Sequence, residues 1–249
     1  MVIIRITSVS ITPSIESGET MTNSAHFTPA LFEFLSELAD NNNREWFQDN
    51  KARYERDVRD ALVHFVADFG DKLHKISPHM VADPRLSGGS IFRIYRDVRF
   101  SKDKSPYKTN AGMHFRHEVG REVHGPGLYL HLQPGMVFTG AGIWRPNSAT
   151  VGKIRGSIVA NPERWRSIVN EDGFTSVYTL EGESLKRPPR GIDADHPLID
   201  HLKLKSFVAT TRFTEEDACA PDFIEAYADA CAVAAPFSEF LTKSVGLDW

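Results

Sequence analysis

The stretch Ala111-Gly112-Met113-His114-Phe115-Arg116-His117, followed by Leu128-Tyr129-Leu130-His131-Leu132-Gln133-Pro134-Gly135-Met136-Val137-Phe138-Thr139, decides the fold. Apolar and polar residues alternate with a period of two, Met113 and Phe115 against His114 and Arg116, then Leu128, Leu130 and Leu132 against Tyr129 and His131. That period is the signature of strands with one buried face. Gly120 and Pro134-Gly135 supply turns between them. Strands adjacent in sequence and joined by short connections pair antiparallel, so the reading is a meander. Just upstream, residues 91–100 alternate as well. Phe92, Ile94, Val98 and Phe100 share one side with Arg96, and Arg93, Tyr95, Asp97 and Arg99 share the other. A further strand is expected there, with Arg96 paired on its apolar face, because an isolated buried charge is costly.

Outward from the strands the period changes to that of helices. Thr28-Pro29 opens a helix whose Leu31, Phe34, Leu35 and Leu38 fall on one face with Phe27, ending at Asn41-Asn42-Asn43. Residues 51–73 form a second, with Tyr54, Val58, Ala61, Leu62, Phe65, Phe69 and Leu73 at three- and four-residue steps. Helices are expected again over 148–159, after Asn161-Pro162, over 197–204 and over 221–243, with a strand at 206–211 and an ordered loop at 185–195. Thr214 and Asp217 have the spacing of a capping box. The expected class is therefore α+β: an antiparallel sheet flanked by N-terminal and C-terminal helices.

The chain has 249 residues, 41% hydrophobic and 25% charged, with a formal net charge of -4. A chain of this size buries roughly 70–75% of its unfolded surface and needs neither disulfides nor metals for stability. Its two cysteines, Cys219 and Cys231, make no disulfide scaffold, and they read as small buried hydrophobes. No stretch approaches a membrane span or a secretory signal, so a soluble cytoplasmic protein is expected. Met21-Thr22-Asn23-Ser24 leads straight into the first patterned segment. The natural start is therefore expected at Met21, with residues 1–26 a flexible extension and residues 27–249 one α+β domain.

Charge is distributed unevenly. Residues 85–121 hold nine Lys and Arg, whereas residues 214–239 hold seven acidic residues and no basic one. Within the first stretch, Lys102, Lys104 and Lys108 crowd a segment with Ser101, Ser105, Thr109 and Asn110, a donor set suited to phosphate or carboxylate. No Walker or dinucleotide glycine pattern is present, so side chains and loop amides would hold such an anion. Arg93, Tyr95, His114, Arg116, Tyr129 and His131 are expected on the sheet face opposite the core. Aromatics and arginines on a sheet face suit single-stranded nucleic acid, but the closely spaced aromatics of RNA-recognition strands are absent. His114 and His117 are three apart and point to opposite faces, and His117-Glu118-Val119-Gly120-Arg121 lacks the second histidine of a zinc-protease helix. No metal site is expected from these residues. Asp193, Asp195 and His196 group in one loop, where they suit a divalent cation, general base work or simply a turn and helix cap.

Residues 34–38, 41–47, 93–110, 185–191, 195–197 and 203–207 together resemble the widespread, mainly bacterial family known as domain of unknown function 2461. The resemblance covers about residues 27–241. It implies a single-domain protein and carries no activity, cofactor or catalytic residue with it. The functional expectation therefore rests on the residues themselves. Residues 93–110 and 186–196 are expected to converge on one pocket, where Arg93, Arg96, Arg99, Lys102, Lys104 and Lys108 neutralise a phosphorylated or carboxylated small molecule. Tyr107 packs beside it, and Asp195 and His196 supply acid/base capacity. The alternatives are a nucleic-acid or protein interaction module and a structural protein whose charges only pair with one another. Neither cofactor nor oligomeric state is legible.

Overall fold

The computed structural model describes residues 24–120 and 125–249. The expected start at Met21 and the leader ahead of it concern residues 1–23, which lie outside the described residues, as do Arg121 and His124.

Six strands form one sheet among the described residues: β1 (Met80–Val81), β2 (Ala111–His117), β3 (Gly127–Gln133), β4 (Met136–Ile143), β5 (Thr179–Glu181) and β6 (Phe207–Phe213), in the order β1-β2-β3-β4-β6-β5. Every neighbouring pair is antiparallel. The meander read from the alternation is thus β2 to β4; β1, too short to show a period, adds at the β2 edge, and β6 pairs with β4. At the β3–β4 turn Gly135 has φ 73°, a conformation that glycine adopts without a Cβ clash. The register aligns the alternation across strands: Met113 faces Leu130, which faces Thr139, and Phe115 faces Leu128, which faces Ala141. All six of these side chains are buried.

The helices that cover this face are α1 (Pro29–Asp40), α4 (Asp60–Ile76) and α10 (Phe223–Val245). Leu31, Phe34, Leu35 and Leu38 of α1 are all buried, as the helical spacing requires. A helix not anticipated, α2 (Arg44–Asp49), follows because Asn43 caps it, accepting from the Trp46 amide at 3.0 Å. The second predicted helix begins as α3 (Lys51–Arg53), passes through a π-helical segment (Tyr54–Arg59) and continues as α4. Val58, Leu62, Phe65, Phe69 and Leu73 line its buried face. After β4 come α5 (Ser148–Ala160), α6 (Pro162–Val169) and α7 (Asp172–Val177), then β5, α8 (Ile199–Leu202), β6, and α9 (Glu215–Ala218), which carries the full capping box of Thr214 and Asp217. No helix of the described residues is long and apolar enough to cross a membrane.

The strand expected over residues 91–100 is corrected. Ile91 and Tyr95 make only isolated bridges, to Met113 and Tyr107. The segment is one arm of an irregular ribbon that extends past the first residue of β2, held by Phe92 N–H to Gly112 O (2.9 Å), Lys108 N–H to Ile94 O (2.7 Å) and Arg96 N–H to Pro106 O (2.9 Å). Past the end of the sheet only part of the segment's apolar side is covered. Ile91 and Ile94 reach the core, whereas Phe92 is 43% and Phe100 95% exposed. Alternation alone cannot distinguish a strand over a core from a ribbon in solvent.

Candidate functional site

The ribbon's charges are largely consumed within it. Arg96 pairs with Asp103, so the expected pairing holds although Arg96 lies at the surface and not on a core face. Arg99 binds Asp97 at 2.7 Å, Lys104 donates to Val98 O at 2.9 Å, and Lys108 donates to Arg93 O at 2.9 Å while lying over the Phe92 ring. Ser105 and Arg96 hold the Asp103 carboxyl far below its ordinary range, and Arg99 lowers that of Asp97. Burial lowers Lys108. Arg93 and Lys102 have no carboxylate partner among the described residues. Tyr107 is buried, stacked on Phe47 with ring centroids 4.0 Å apart, and its backbone is gripped by the Asn42 side chain on both sides.

The convergence of this run with residues 186–196 is corrected by the topology. The ribbon leaves the sheet at the Ala111 end of β2, whereas residues 182–206 connect β5 to β6 at the far edge and join the Phe207 end of β6. Phe207 is level with Ile143, and Gly142 with Gly127 and Arg116, which is the opposite end of β2. Four strand spacings, about 19 Å, separate β2 from β5. Within that far loop the Asp195 amide donates to Asp193 Oδ1 at 3.0 Å and the Leu198 amide to His196 Nδ1 at 3.1 Å. His196 therefore acts as a local turn acceptor, and Asp195 projects from the surface.

A concavity forms elsewhere, at the β1–β2 edge. It encloses about 280 Å³ and is lined by residues that include Asp83, Arg85, Ser90, His114, Arg116, His117 and Glu118. Its wall is a tight turn over residues 83–90, pinned by Ser90. The Ser90 amide donates to Asp83 O at 2.7 Å, the Ser90 hydroxyl accepts from the Asp83 amide at 3.0 Å, and the His114 amide donates to Ser90 O at 2.7 Å. Glycine is required at 89, where a Cβ would stand 2.2 Å from Arg85 O and 2.5 Å from Asp83 O. Arg85 is paired with Asp83 through Nε at 2.9 Å. Arg116 is half-buried and has no carboxylate partner among the described residues.

Beside this concavity, the β1–β2 register sets Met80 against His117, so that His79, in the turn before β1, lies next to Glu118. The Glu118 amide donates to His79 O at 2.8 Å, and His79 Nδ1 lies 2.7 Å from Glu118 Oε1. The His79 and His117 rings stack at 5.4 Å with planes 9° apart. His117 Nε2 donates to Asp248 O at 3.0 Å. The hydrogen bond from His79 keeps the Glu118 carboxyl below its ordinary value.

On the sheet face away from the helices, His114, Arg116, Tyr129 and His131 gather as expected, whereas Arg93 and Tyr95 belong to the ribbon. The Tyr129 hydroxyl donates to His131 Nδ1 at 2.9 Å, and the His131 ring stacks on Phe138 at 4.6 Å. Burial pushes Tyr129 up to about 12 and His131 down. This is a self-satisfied aromatic layer.

None of the cations expected to bind a ligand lines the concavity. Its residues were partly visible, since Gly88-Gly89-Ser90 reads as a turn and His114 and Arg116 alternate on β2, but His79 carries no signal in the sequence that ties it to Glu118. No curated protein and no solved structure shows significant similarity to this chain. The match to a family is clear and spans both the ribbon and the β1–β2 edge: over residues 30–240 the sequence fits the conserved hypothetical proteins of domain of unknown function 2461, and the chain belongs to that family.

Proposed function

We propose that the protein binds a small phosphorylated or carboxylated molecule in the concavity at the β1–β2 edge, in the cytoplasm. The observation that carries this reading is Arg116: a half-buried guanidinium beside His114, without a carboxylate partner among the described residues, in a space of about 280 Å³. Arg85 contributes less, because Asp83 already occupies it. A guanidinium favours planar, bidentate oxyanions, so phosphate and carboxylate are the groups that suit it. Two free thiols, Cys219 and Cys231, fit a reducing compartment.

The test is calorimetric titration of chelator-treated protein with inorganic phosphate and with small di- and tricarboxylates, repeated with Arg116→Gln. Losing a hydrogen bond to a charged group costs about 1.5–3 kcal/mol, so the variant should bind about 10- to 150-fold more weakly. Equal affinity in the two proteins would refute the assignment.

A second reading is favoured by one observation, the ribbon tip. Phe100 is 95% exposed there and is flanked by Arg99 and Lys102, with Arg93 further down the arm. That combination supports docking of a polyanionic partner, nucleic acid included. Affinity that collapses by orders of magnitude as salt rises would mark this mode, whereas a small anion in a concavity is far less sensitive.

A further inference from the structure

We propose that His79, His117 and Glu118 form a binding site for a single divalent transition-metal ion of the zinc class. The nitrogen and oxygen ligand atoms of these three residues all lie within 4.8 Å of one another, and this is the one such group of three among the described residues. The site draws on the ends of two strands that the β1–β2 pairing brings together: His79 precedes β1, His117 ends β2 and Glu118 follows it.

The donor set selects the metal. Two imidazoles and one carboxylate suit a borderline ion such as zinc and leave a coordination position open, whereas magnesium and calcium prefer oxygen ligands throughout. The distances are close to what is needed. Ligand bonds of about 2.0–2.2 Å in a tetrahedron place the ligand atoms roughly 3.3 Å apart. His79 Nδ1 and Glu118 Oε1 are already within 2.7 Å, and the parallel His79 and His117 rings stand 5.4 Å apart at their centroids. Movements of about 1 Å, within the reach of χ rotations at an exposed edge, therefore assemble the site.

The outer sphere is in place for His117. This imidazole is only 7% exposed and donates from Nε2 to the Asp248 carbonyl at 3.0 Å, which fixes its tautomer and leaves Nδ1 as the basic nitrogen. A ring nitrogen that donates to a backbone carbonyl is the usual orienting partner of a metal-bound histidine. Among the described residues Nδ1 accepts from the Val119 amide, at a long 3.3 Å, a weak bond for a metal to displace. Glu118, with its side chain 54% exposed, admits the ion from solvent. His117 and Glu118 also belong to the wall of the concavity that holds Arg116, so a bound cation would add positive charge beside the proposed anion site.

The test uses the full chain and zinc alone, titrated in competition with a chromophoric chelator, and does not depend on anion binding. The expected result is one zinc per chain with a dissociation constant in the micromolar range or tighter. His79→Ala and Glu118→Gln should each weaken it by more than about tenfold, the least that loss of even an outer-sphere partner commonly causes. His74→Ala, at an exposed histidine outside the group, should leave affinity unchanged, and excess magnesium should not compete. Both cluster variants alter partly exposed side chains, and melting curves confirm that they fold. No zinc binding by the wild type, or affinity unaltered in His79→Ala and Glu118→Gln, would overturn the proposal. Equal phosphate affinity in the wild type and Arg116→Gln, with zinc binding intact, would sink the anion site and leave the metal site standing, so the two readings fail separately.

Discussion

Asn42→Ala tests what holds the run of residues 93–110 in place. The Asn42 amide donates from Nδ2 to Tyr107 O and accepts from the Tyr107 amide at Oδ1, each at 3.0 Å, so one half-buried side chain ties the ribbon to the segment between α1 and α2. Tyr107 reinforces this by stacking on Phe47, with planes 16° apart. The substitution leaves the stack and removes both hydrogen bonds. At about 0.5–1.5 kcal/mol net for each bond, the loss is about 1–3 kcal/mol. For a chain of this size each kcal/mol lowers Tm by about 2–4 °C, so a fall of about 2–12 °C is expected. Asn42→Asp should be at least as damaging, because it sets a carboxylate oxygen against the Tyr107 carbonyl. Thermal unfolding followed by circular dichroism measures the first effect. Hydrogen exchange locates it, since the Phe92, Arg96 and Lys108 amides that hold the ribbon should exchange faster in the variant. A melting curve that superimposes on the wild type, together with unchanged exchange at those amides, would refute the clamp.

Three further outcomes follow from burial and charge. His201 accepts from Trp165 Nε1–H at Nδ1 (2.7 Å) and His131 accepts from the Tyr129 hydroxyl at Nδ1, and burial lowers both from the ordinary 6.5. Below pH 6.5 the unfolded chain therefore takes up protons that the folded chain refuses, so stability present above 6.5 is lost as pH falls through the lower folded values. Tm should drop between about pH 7 and 5, less steeply in His201→Gln, which keeps an acceptor for Trp165; an identical slope in that variant would contradict the assignment. Cys231 is fully buried with its thiol pushed up to about 12, whereas Cys219 is half-buried, so alkylation of the native protein read by mass spectrometry should mark Cys219 first, and equal labelling rates would be inconsistent with this packing. Phe100→Ser should change stability by no more than about 0.5 kcal/mol, while Phe115→Ala, which empties a site between Phe69 and Tyr227, should cost about 3–5 kcal/mol by denaturant titration.

The sequence by itself determined the α+β class, the β2–β3–β4 meander and the buried faces of α1, α4 and α10. Each of these is a local periodicity in which a side chain's neighbours along one face are set by strand or helix geometry. It also located the capping box at Thr214 and Asp217. Short elements escaped it: β1 with two residues and β5 with three are too brief to show a period, and α2 depends on a single cap. Residues 91–100 misled it because alternation reports a ribbon's two sides whether or not a core lies against one of them. Only the tertiary structure decided the candidate site. Arg99, Lys104 and Lys108 looked like free donors until their partners, two of them backbone carbonyls, were fixed in space. Conversely His79 and Glu118, 39 positions apart, meet because antiparallel pairing of β1 with β2 aligns them, and a register across strands is set by the packing of the whole sheet.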